Sequence, residues 1–101
     1  MYENGYNVPQ DYSEALKWYR LAADQGLAEA QFNLGQVYAD GHGVLQDYIQ
    51  AHMWFNIACA NGLLSSESDR DRIAAMMSPT DVSEAQRRAK ACMASDYKNC
   101  D

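Results

Sequence analysis

Two histidines and three cysteines are the residues of this chain whose chemistry could support catalysis, metal binding or covalent cross-linking. The histidines are His42 and His52, and the cysteines are Cys59, Cys92 and Cys100. Catalytic and metal sites need several such groups at fixed spacings, as in C-x-x-C, H-E-x-x-H or G-x-S-x-G, and the sequence contains none of these motifs. We therefore predict a protein that is not an enzyme and that uses no metal and no cofactor.

An internal repeat determines how the elements of the chain are organised. The segment DYSEALKWYRLAADQG, which starts at Asp11, returns as DYIQAHMWFNIACANG from Asp47. Many identical residues recur at this same separation of 36 positions. A fixed period of about 20–50 residues is typical of helical-repeat and solenoid proteins.

Capping signals and apolar periodicity predict helices throughout the chain. Asp47, three residues before Gln50, fits a capping box, and Asp11 with Glu14 fits the same pattern. Behind each cap, apolar residues at spacings of three and four form one helical face. The same reasoning gives five helices, at 12–25, 28–40, 48–61, 66–77 and 79–95.

The C-terminal third leaves the 36-residue register but keeps its helical pattern. Ser78 as N-cap, Pro79 in the first position and Asp81 in the third mark a helix start. Met76 is expected on the apolar side of the preceding helix, together with Ile73. Charged residues on the remaining faces favour a capping unit, since the last unit of a solenoid must present a polar surface.

The stretch from Ala30 to Gly62 reads A-x-x-x-L-G-x-x-Y-x-x-G-x-G-V-x-x-D-Y-x-x-A-x-x-W-[YF]-x-x-A-x-x-x-G. This pattern resembles the SEL-one-like repeat of bacterial type, a relative of the tetratricopeptide repeat. The resemblance implies an all-α fold, a right-handed α/α superhelix (solenoid) of helix–turn–helix repeats. It divides the chain into a partial repeat with only its second helix (1–26), a complete repeat (27–62), and a capping helix pair with a tail (63–101).

Four aromatic residues are expected to pack inside the repeats. Trp18 and Tyr19 return as Trp54 and Phe55 at the repeat separation. Exact repetition at helix-interior spacing favours buried packing residues over a cage for a ligand.

Three glycines and a tyrosine are also expected to have structural roles. Gly35 lies inside a helix, at a cost of about 1 kcal/mol relative to alanine, and we expect a neighbouring backbone to approach closely there. Tyr38 extends the apolar stripe of that helix, and Gly41 and Gly43 are expected to end it.

The resemblance implies a binding scaffold without an active site of its own. Members of the family hold partner proteins or peptides, and some hold bacterial cell-wall material. By analogy with tetratricopeptide arrays, the first helix of each pair lines a concave groove; a merely solvated face is the alternative. An accessory subunit docked in one assembly and a peptidoglycan- or glycan-binding module are the competing functions. The implied groove residues are Glu29, Phe32, Asn33, Gln36, Ala39 and Asp40.

The first repeat retains only a remnant of its first helix. The chain is therefore expected to be a fragment of a longer array or a truncated version of one. In either case the apolar side of helix 12–25 lacks its usual cover. We expect a homodimer in which the N-terminal repeat edges of two chains pack together around residues 1–23.

The three cysteines predict one buried core residue and a candidate disulfide. Cys59 stands where the first repeat has Ala23 and is expected to be a small core residue. A tail that folds back could join Cys92 to Cys100, and a secreted subgroup of the resembled family spaces its bridged cysteines similarly; two free thiols are the alternative. A bridge would favour a periplasmic or secreted location, because disulfides persist in oxidising compartments.

The net charge of the chain and its distribution indicate which kinds of partner can bind. The chain has a net charge of -6 and no basic run, which disfavours nucleic acid and anionic membranes. No apolar run approaches the ~20 residues of a membrane span. Residues 27–62 contain Glu29, Asp40 and Asp47 but no lysine or arginine. We therefore expect a protein or peptide partner with a polar, neutral or basic surface.

Overall fold

The computed structural model describes residues 12–41, 44–98 and 100. Within these residues the chain forms α-helices and no β-strand, which confirms the predicted all-α, helical-repeat fold. Residues 1–11, His42 and Gly43 lie outside the described residues, and so do the expected Asp11 cap and the turn role of Gly43. The helices are α1 (Tyr12–Ala23), α2 (Ala28–Asp40), α3 (Tyr48–Ala60), α4 (Ser66–Ala74) and α5 (Pro79–Ala94).

Two predicted helix starts are confirmed by their capping bonds. The Asp47 carboxylate accepts a hydrogen bond from the backbone N–H of Gln50 at 3.1 Å. The Ser78 hydroxyl accepts one from the backbone N–H of Asp81, also at 3.1 Å. Both bonds satisfy amides that have no partner within the helix.

Two helices, α1 and α4, end two or three residues earlier than the sequence predicts, while α3 and α5 end one residue earlier. α1 ends at Ala23, where residue 25 was expected, because the chain turns back through Gly26. α4 ends at Ala74, where residue 77 was expected. Ser78 precedes a proline and has an extended backbone (ψ 156°), since the proline ring disfavours helical geometry at the residue before it. Residues 75–77 therefore form the turn between α4 and α5.

The central helix of the fold is α3, which packs against α2, α4 and α5, while α1 packs against α2. Trp54 of α3 lies in one buried cluster with Leu34 of α2 and Ala89 of α5. Phe55 lies in a second cluster with Ile73 of α4. The core is therefore organised around the second helix of the complete repeat.

The expectation of a buried Trp18 is wrong for this chain. Trp54 is fully buried, but Trp18 is 62 % exposed although it occupies the equivalent position in the first repeat. The difference follows from the neighbours: among the described helices, α1 has one main packing partner and α3 has three. Phe55 is fully buried as expected, and Tyr19 is half-buried against the core.

Two further burial expectations are corrected. Cys59 is a free thiol that is only half-buried, whereas its repeat equivalent Ala23 is fully buried. Met76 is 54 % exposed, although it was expected beside the buried Ile73. Met76 lies beyond the observed end of α4, so the helical phase that grouped it with Ile73 no longer applies.

Gly35 is needed for the contact between α2 and α3. A β-carbon at this position would lie 2.6 Å from two ring carbons of Phe55, so a side-chain ring and not a backbone makes the close approach. Tyr38 packs against both core clusters. Gly41 ends α2 in the left-handed region (φ +75°) and donates its N–H to the Val37 carbonyl at 2.8 Å.

Replacing Gly35 with alanine is expected to lower the free energy of unfolding by about 1–2 kcal/mol. Alanine has the better helix propensity, but its methyl group must displace a fully buried ring, and such overpacking costs more than the propensity contributes. Urea unfolding monitored by circular dichroism measures the change. Asn33→Ala on the open side of the same helix is the control and should be neutral or slightly stabilising; a stabilising Gly35→Ala would contradict the close contact.

Candidate functional site

The outward side of α2 is the candidate binding surface. Glu29, Asn33, Gln36 and Asp40 lie three or four positions apart, so they share one face of the helix. Glu29 and Asp40 are exposed, and Asn33 and Gln36 are partly exposed. We call these four residues the α2 outer face. The opposite side of the helix is buried and consists of Ala30, Gln31, Leu34 and Gly35.

The two remaining groove candidates, Phe32 and Ala39, lie beside this face and help to pack the core. The ring of Phe32 is tilted against the ring of Phe55, with centroids 5.5 Å apart. Both Phe32 and Ala39 contact the cluster around Phe55. The Ala39 carbonyl also accepts a hydrogen bond from the Gln46 side chain at 2.9 Å. The structure therefore brings four of the six candidates together as an open polar surface and leaves two at its edge.

A chain of three hydrogen bonds, which runs from the buried Gln31 to the exposed Asn61, holds α2 in place behind the outer face. The Gln31 side chain is fully buried and donates to the Ala23 carbonyl at the end of α1, at 3.0 Å. Its oxygen accepts from the Asn61 amide at 2.8 Å, and the same amide nitrogen donates to the Tyr97 hydroxyl at 2.8 Å. The network thus links the ends of α1 and α3 and the C-terminal tail through α2.

Sequence reasoning missed this network. The only local signal was the polar Gln31 between Ala30 and Leu34, two apolar residues on the buried side of the predicted helix. A fully buried amide needs partners for both its donor and its acceptor. This argument predicts that partners exist, but their identity depends on residues far away in the sequence.

The C-terminal tail folds back onto α5, where a disulfide joins Cys92 to Cys100. The two α-carbons are 4.4 Å apart, and both residues are buried. The backbone N–H of Tyr97 donates to the Cys92 carbonyl at 2.8 Å. Asp96 and Tyr97 both have left-handed backbone geometry (φ 59° and 66°), which residues other than glycine adopt only at a cost. The tail is therefore held by several contacts in an unfavourable local conformation.

His52 lies on α3 and is buried, with only 2 % of its surface exposed. Its Nδ1 atom has no hydrogen-bond partner in the described part of the chain. Burial lowers the pKa of His52 below its ordinary value, the positive charge of Arg70 lowers it further, and Asp71 partly offsets these effects. The folded protein therefore keeps this imidazole neutral at pH 7.

Acid is expected to destabilise the fold through His52. In the unfolded chain the imidazole takes up a proton near pH 6.5, while its lowered pKa keeps it neutral in the folded chain. Above pH 6.5 the imidazole is neutral in both states and does not lower the free energy of unfolding. As the pH falls from 6.5 towards the folded-state pKa, protonation of the unfolded chain lowers the free energy of unfolding progressively. Urea midpoints at pH 7.5 and 5.5 measure the decrease.

His52→Gln, which cannot titrate, should show less of this decrease. The matched control is His42→Gln, which removes the chain's other histidine and should keep the pH dependence of the parent. Equal pH dependence of the parent and His52→Gln would contradict the assignment to His52.

Across residues 12–41, 44–98 and 100, no group of three or more histidine, cysteine or acidic side chains is placed to hold a metal ion. In the same residues, no helix combines the length and the apolar character that crossing a membrane requires.

Successive packed helices built from a repeated sequence unit are typical of helical-repeat proteins. A family model described as Sel1 repeat matches residues 1–27 and 28–63, which is more than half of the chain. The chain therefore belongs to the Sel1 repeat family. Proteins of this family generally mediate protein–protein interactions and are typically non-catalytic scaffolds.

A viral protein shows similarity over a shorter stretch. The chain is 47 % identical over 38 residues to a protein described as putative sel1-like repeat-containing protein L21, from Acanthamoeba polyphaga mimivirus. This stretch covers 38 % of the chain but only 7 % of the mimivirus protein. The similarity is thus limited to about one repeat of a much longer protein.

Proposed function

We propose that this chain is a non-enzymatic scaffold of bacterial type, which binds a partner protein or peptide on its concave surface through the α2 outer face. The single observation that carries this proposal is the division of α2 into two sides. One side is buried and fixed by core packing and by Gln31, while the other presents Glu29, Asn33, Gln36 and Asp40 to solvent. A rigid helix with an open polar side is suited to recognition, because little order has to be gained on binding.

The chemistry of the outer face indicates the kind of peptide that it would accept. Asn33 and Gln36 each offer a donor and an acceptor, which can pair with the backbone of an extended peptide. Glu29 and Asp40 add negative charge at the two ends of the helix face. No lysine or arginine occurs between residues 27 and 62. We therefore infer a partner segment with backbone groups to share and with basic side chains.

A photo-crosslinking residue at position 36 tests the proposal. With benzoylphenylalanine in place of Gln36, we expect a crosslink to one partner protein in a lysate of the source cells. The matched control places the same residue at Lys90, an exposed position on α5. A second variant, Asp40→Lys, should weaken the crosslink at position 36 because it reverses one charge of the surface. Identical crosslinks from positions 36 and 90 would contradict binding at the outer face.

The competing functions differ in measurable ways. A glycan site at the α2 outer face needs an aromatic ring there that is free to stack on a sugar, but Phe32 beside this face is partly covered by Phe55, which favours a protein partner for this surface. Co-sedimentation with insoluble peptidoglycan tests the glycan module directly. An accessory subunit would co-purify in a fixed ratio with its assembly, whereas a scaffold for peptides would exchange its partner.

The same proposal assigns roles along the chain. Residues 1–26 form a partial repeat, 27–62 a complete repeat, and 63–101 a capping helix pair with a tail. The polar side chains of α4 and α5 support the capping role: Glu67, Arg70 and Asp71 interact on α4, and Glu84 bridges Arg87 and Arg88 on α5. A polar last unit ends the stack and keeps it soluble.

The homodimer predicted through the N-terminal edge would use the open side of α1. A two-fold contact centred on Lys17 would bring this exposed side chain of one chain towards the same residue of the other. Like charges at short range oppose association. A different partner therefore fits this edge better than a second copy does, and sedimentation velocity at several concentrations tests the dimer.

A further inference from the structure

A groove between α1 and α2 lies on a different side of α2 from the outer face. Its volume is about 350 Å³. Most of the exposed lining is apolar, and Leu34 forms part of the buried floor. The lining residues are Leu16, Lys17, Arg20, Leu21, Leu34 and Tyr38.

Comparison of the two repeats shows that apolar side chains in and beside this groove are less covered than their repeat equivalents. Leu21 is 54 % exposed and Trp18 is 62 % exposed, whereas their repeat equivalents Ile57 and Trp54 are fully buried. Exposed apolar side chains grouped in this way usually mark an interaction site.

The cover of the second repeat shows what kind of helix is needed. Trp54 and Ile57 are buried in one cluster with Ala30 and Leu34 of α2 and with Ala89 and Cys92 of α5. Each of these covering helices thus contributes small or medium apolar residues three or four positions apart. A helix that covers Trp18 and Leu21 in the same way must carry a similar apolar stripe.

Charge further specifies the occupant. The groove lining contains two basic side chains, Lys17 and Arg20, and no acidic one, in a chain whose net charge is -6. Arg20 pairs with Asp24 at 3.1 Å and lies over the Trp54 ring at 5.5 Å, so it is held beside the groove. Lys17 is exposed. Because Asp24 already compensates the charge of Arg20, acidic residues flanking the apolar stripe of a bound helix would complement Lys17.

We propose that the α1–α2 groove docks an acidic amphipathic helix of another protein, whose apolar stripe covers Leu21 in the groove and Trp18 beside it and whose carboxylates face Lys17. This docking surface is separate from the α2 outer face, so the two surfaces can be occupied together. Residues near Gln36 should therefore be unaffected when the groove is altered.

The probe is an end-capped, fluorescein-labelled helical peptide of alanine, leucine and glutamate, with leucine and alanine on one stripe and glutamate on both flanks. A twin peptide replaces every glutamate with lysine. Fluorescence anisotropy with the full chain should show binding of the acidic peptide and at least tenfold weaker binding of its basic twin. High salt should weaken the binding, because the flanking charges are at the surface.

Two variants with the same change in net charge locate the site. Lys17→Glu should weaken binding of the acidic peptide about tenfold, because it replaces an attraction with a repulsion. Lys90→Glu on α5 should leave it unchanged. Leu21→Asp should abolish binding, and its circular dichroism spectrum should match that of the parent because this side chain is largely exposed.

Several results would overturn the proposal. Equal weakening by Lys17→Glu and Lys90→Glu, or equal binding of the two peptides, would show that the groove does not select acidic helices. A concentration-dependent dimer that Leu21→Asp dissociates would assign the groove to a second copy. Binding that appears only after removal of residues 1–10 would assign it to the chain's own N-terminal segment. Crosslinking at position 36 tests partner binding at the α2 outer face independently, so failure of helix docking in the groove would not contradict that binding.

Discussion

Replacing Trp54 with alanine is expected to lower the free energy of unfolding by about 3–5 kcal/mol. The indole is fully buried and lies in the cluster that joins α2, α3 and α5, so its removal leaves a cavity where three helices meet. Arg20 also loses the ring over which its guanidinium lies, 5.5 Å from the centroid. Domains of this size are stabilised by only about 5–15 kcal/mol, so the variant should be largely unfolded or close to it at 37 °C.

The repeat supplies a matched control for this experiment. Trp18→Ala makes the same chemical change at the equivalent position of the first repeat, where the side chain is 62 % exposed. It should cost less than about 1 kcal/mol, as surface substitutions usually do. Urea unfolding followed by far-ultraviolet circular dichroism gives both values. If Trp18→Ala costs as much as Trp54→Ala, a partner or a second copy must cover Trp18 in solution.

Local signals in the sequence are sufficient to predict the helices and their capped starts. The Asp47 and Ser78 caps each depend on an amide three residues ahead, so nearby sequence determines them. The close contact at Gly35 was also signalled by a glycine inside an amphipathic helix. The identity of the contacting group, the Phe55 ring, was not, because it lies on another helix.

The environment of each repeat could not be predicted from the repeat pattern. Trp18 and Trp54 occupy the same register position, yet one is exposed and the other fully buried. Burial depends on the number of neighbouring helices, which differs between the edge and the centre of a stack. A repeat pattern describes the average unit and therefore assigns the same burial to both.

The sequence could predict which face of α2 is open, but not the detailed packing of the side chains at its edge. Helical periodicity places Glu29, Gln36 and Asp40 on one side of α2, and the structure agrees. Periodicity does not show that Phe32 tilts towards Phe55, because that depends on how α3 crosses α2. Sequence periodicity therefore predicts burial least well for residues at the border between the buried and open sides of a helix.

Loss of the Cys92–Cys100 disulfide is expected to destabilise the fold by about 2–3 kcal/mol, in the range for a short closed loop. The bridge holds the tail, whose residues Asp96 and Tyr97 have costly left-handed geometry. When the tail loosens, the Tyr97 hydroxyl should leave the Asn61 amide, which it contacts at 2.8 Å. Hydrogen exchange should then accelerate at the Tyr97 amide, which bonds to the Cys92 carbonyl at 2.8 Å.

Three variants separate the bridge from its neighbours. Cys100→Ser should show the full loss in urea unfolding, while Cys59→Ser, which changes the half-buried free thiol, should stay within about 1 kcal/mol of the parent. Tyr97→Phe keeps the ring and removes only the hydroxyl, so it should cost about 1 kcal/mol. Protein prepared under oxidising conditions should expose one thiol in denaturant without reductant. Three thiols in that titration, with a stability unchanged by Cys100→Ser, would show that the tail is held by its hydrogen bonds and not by the disulfide.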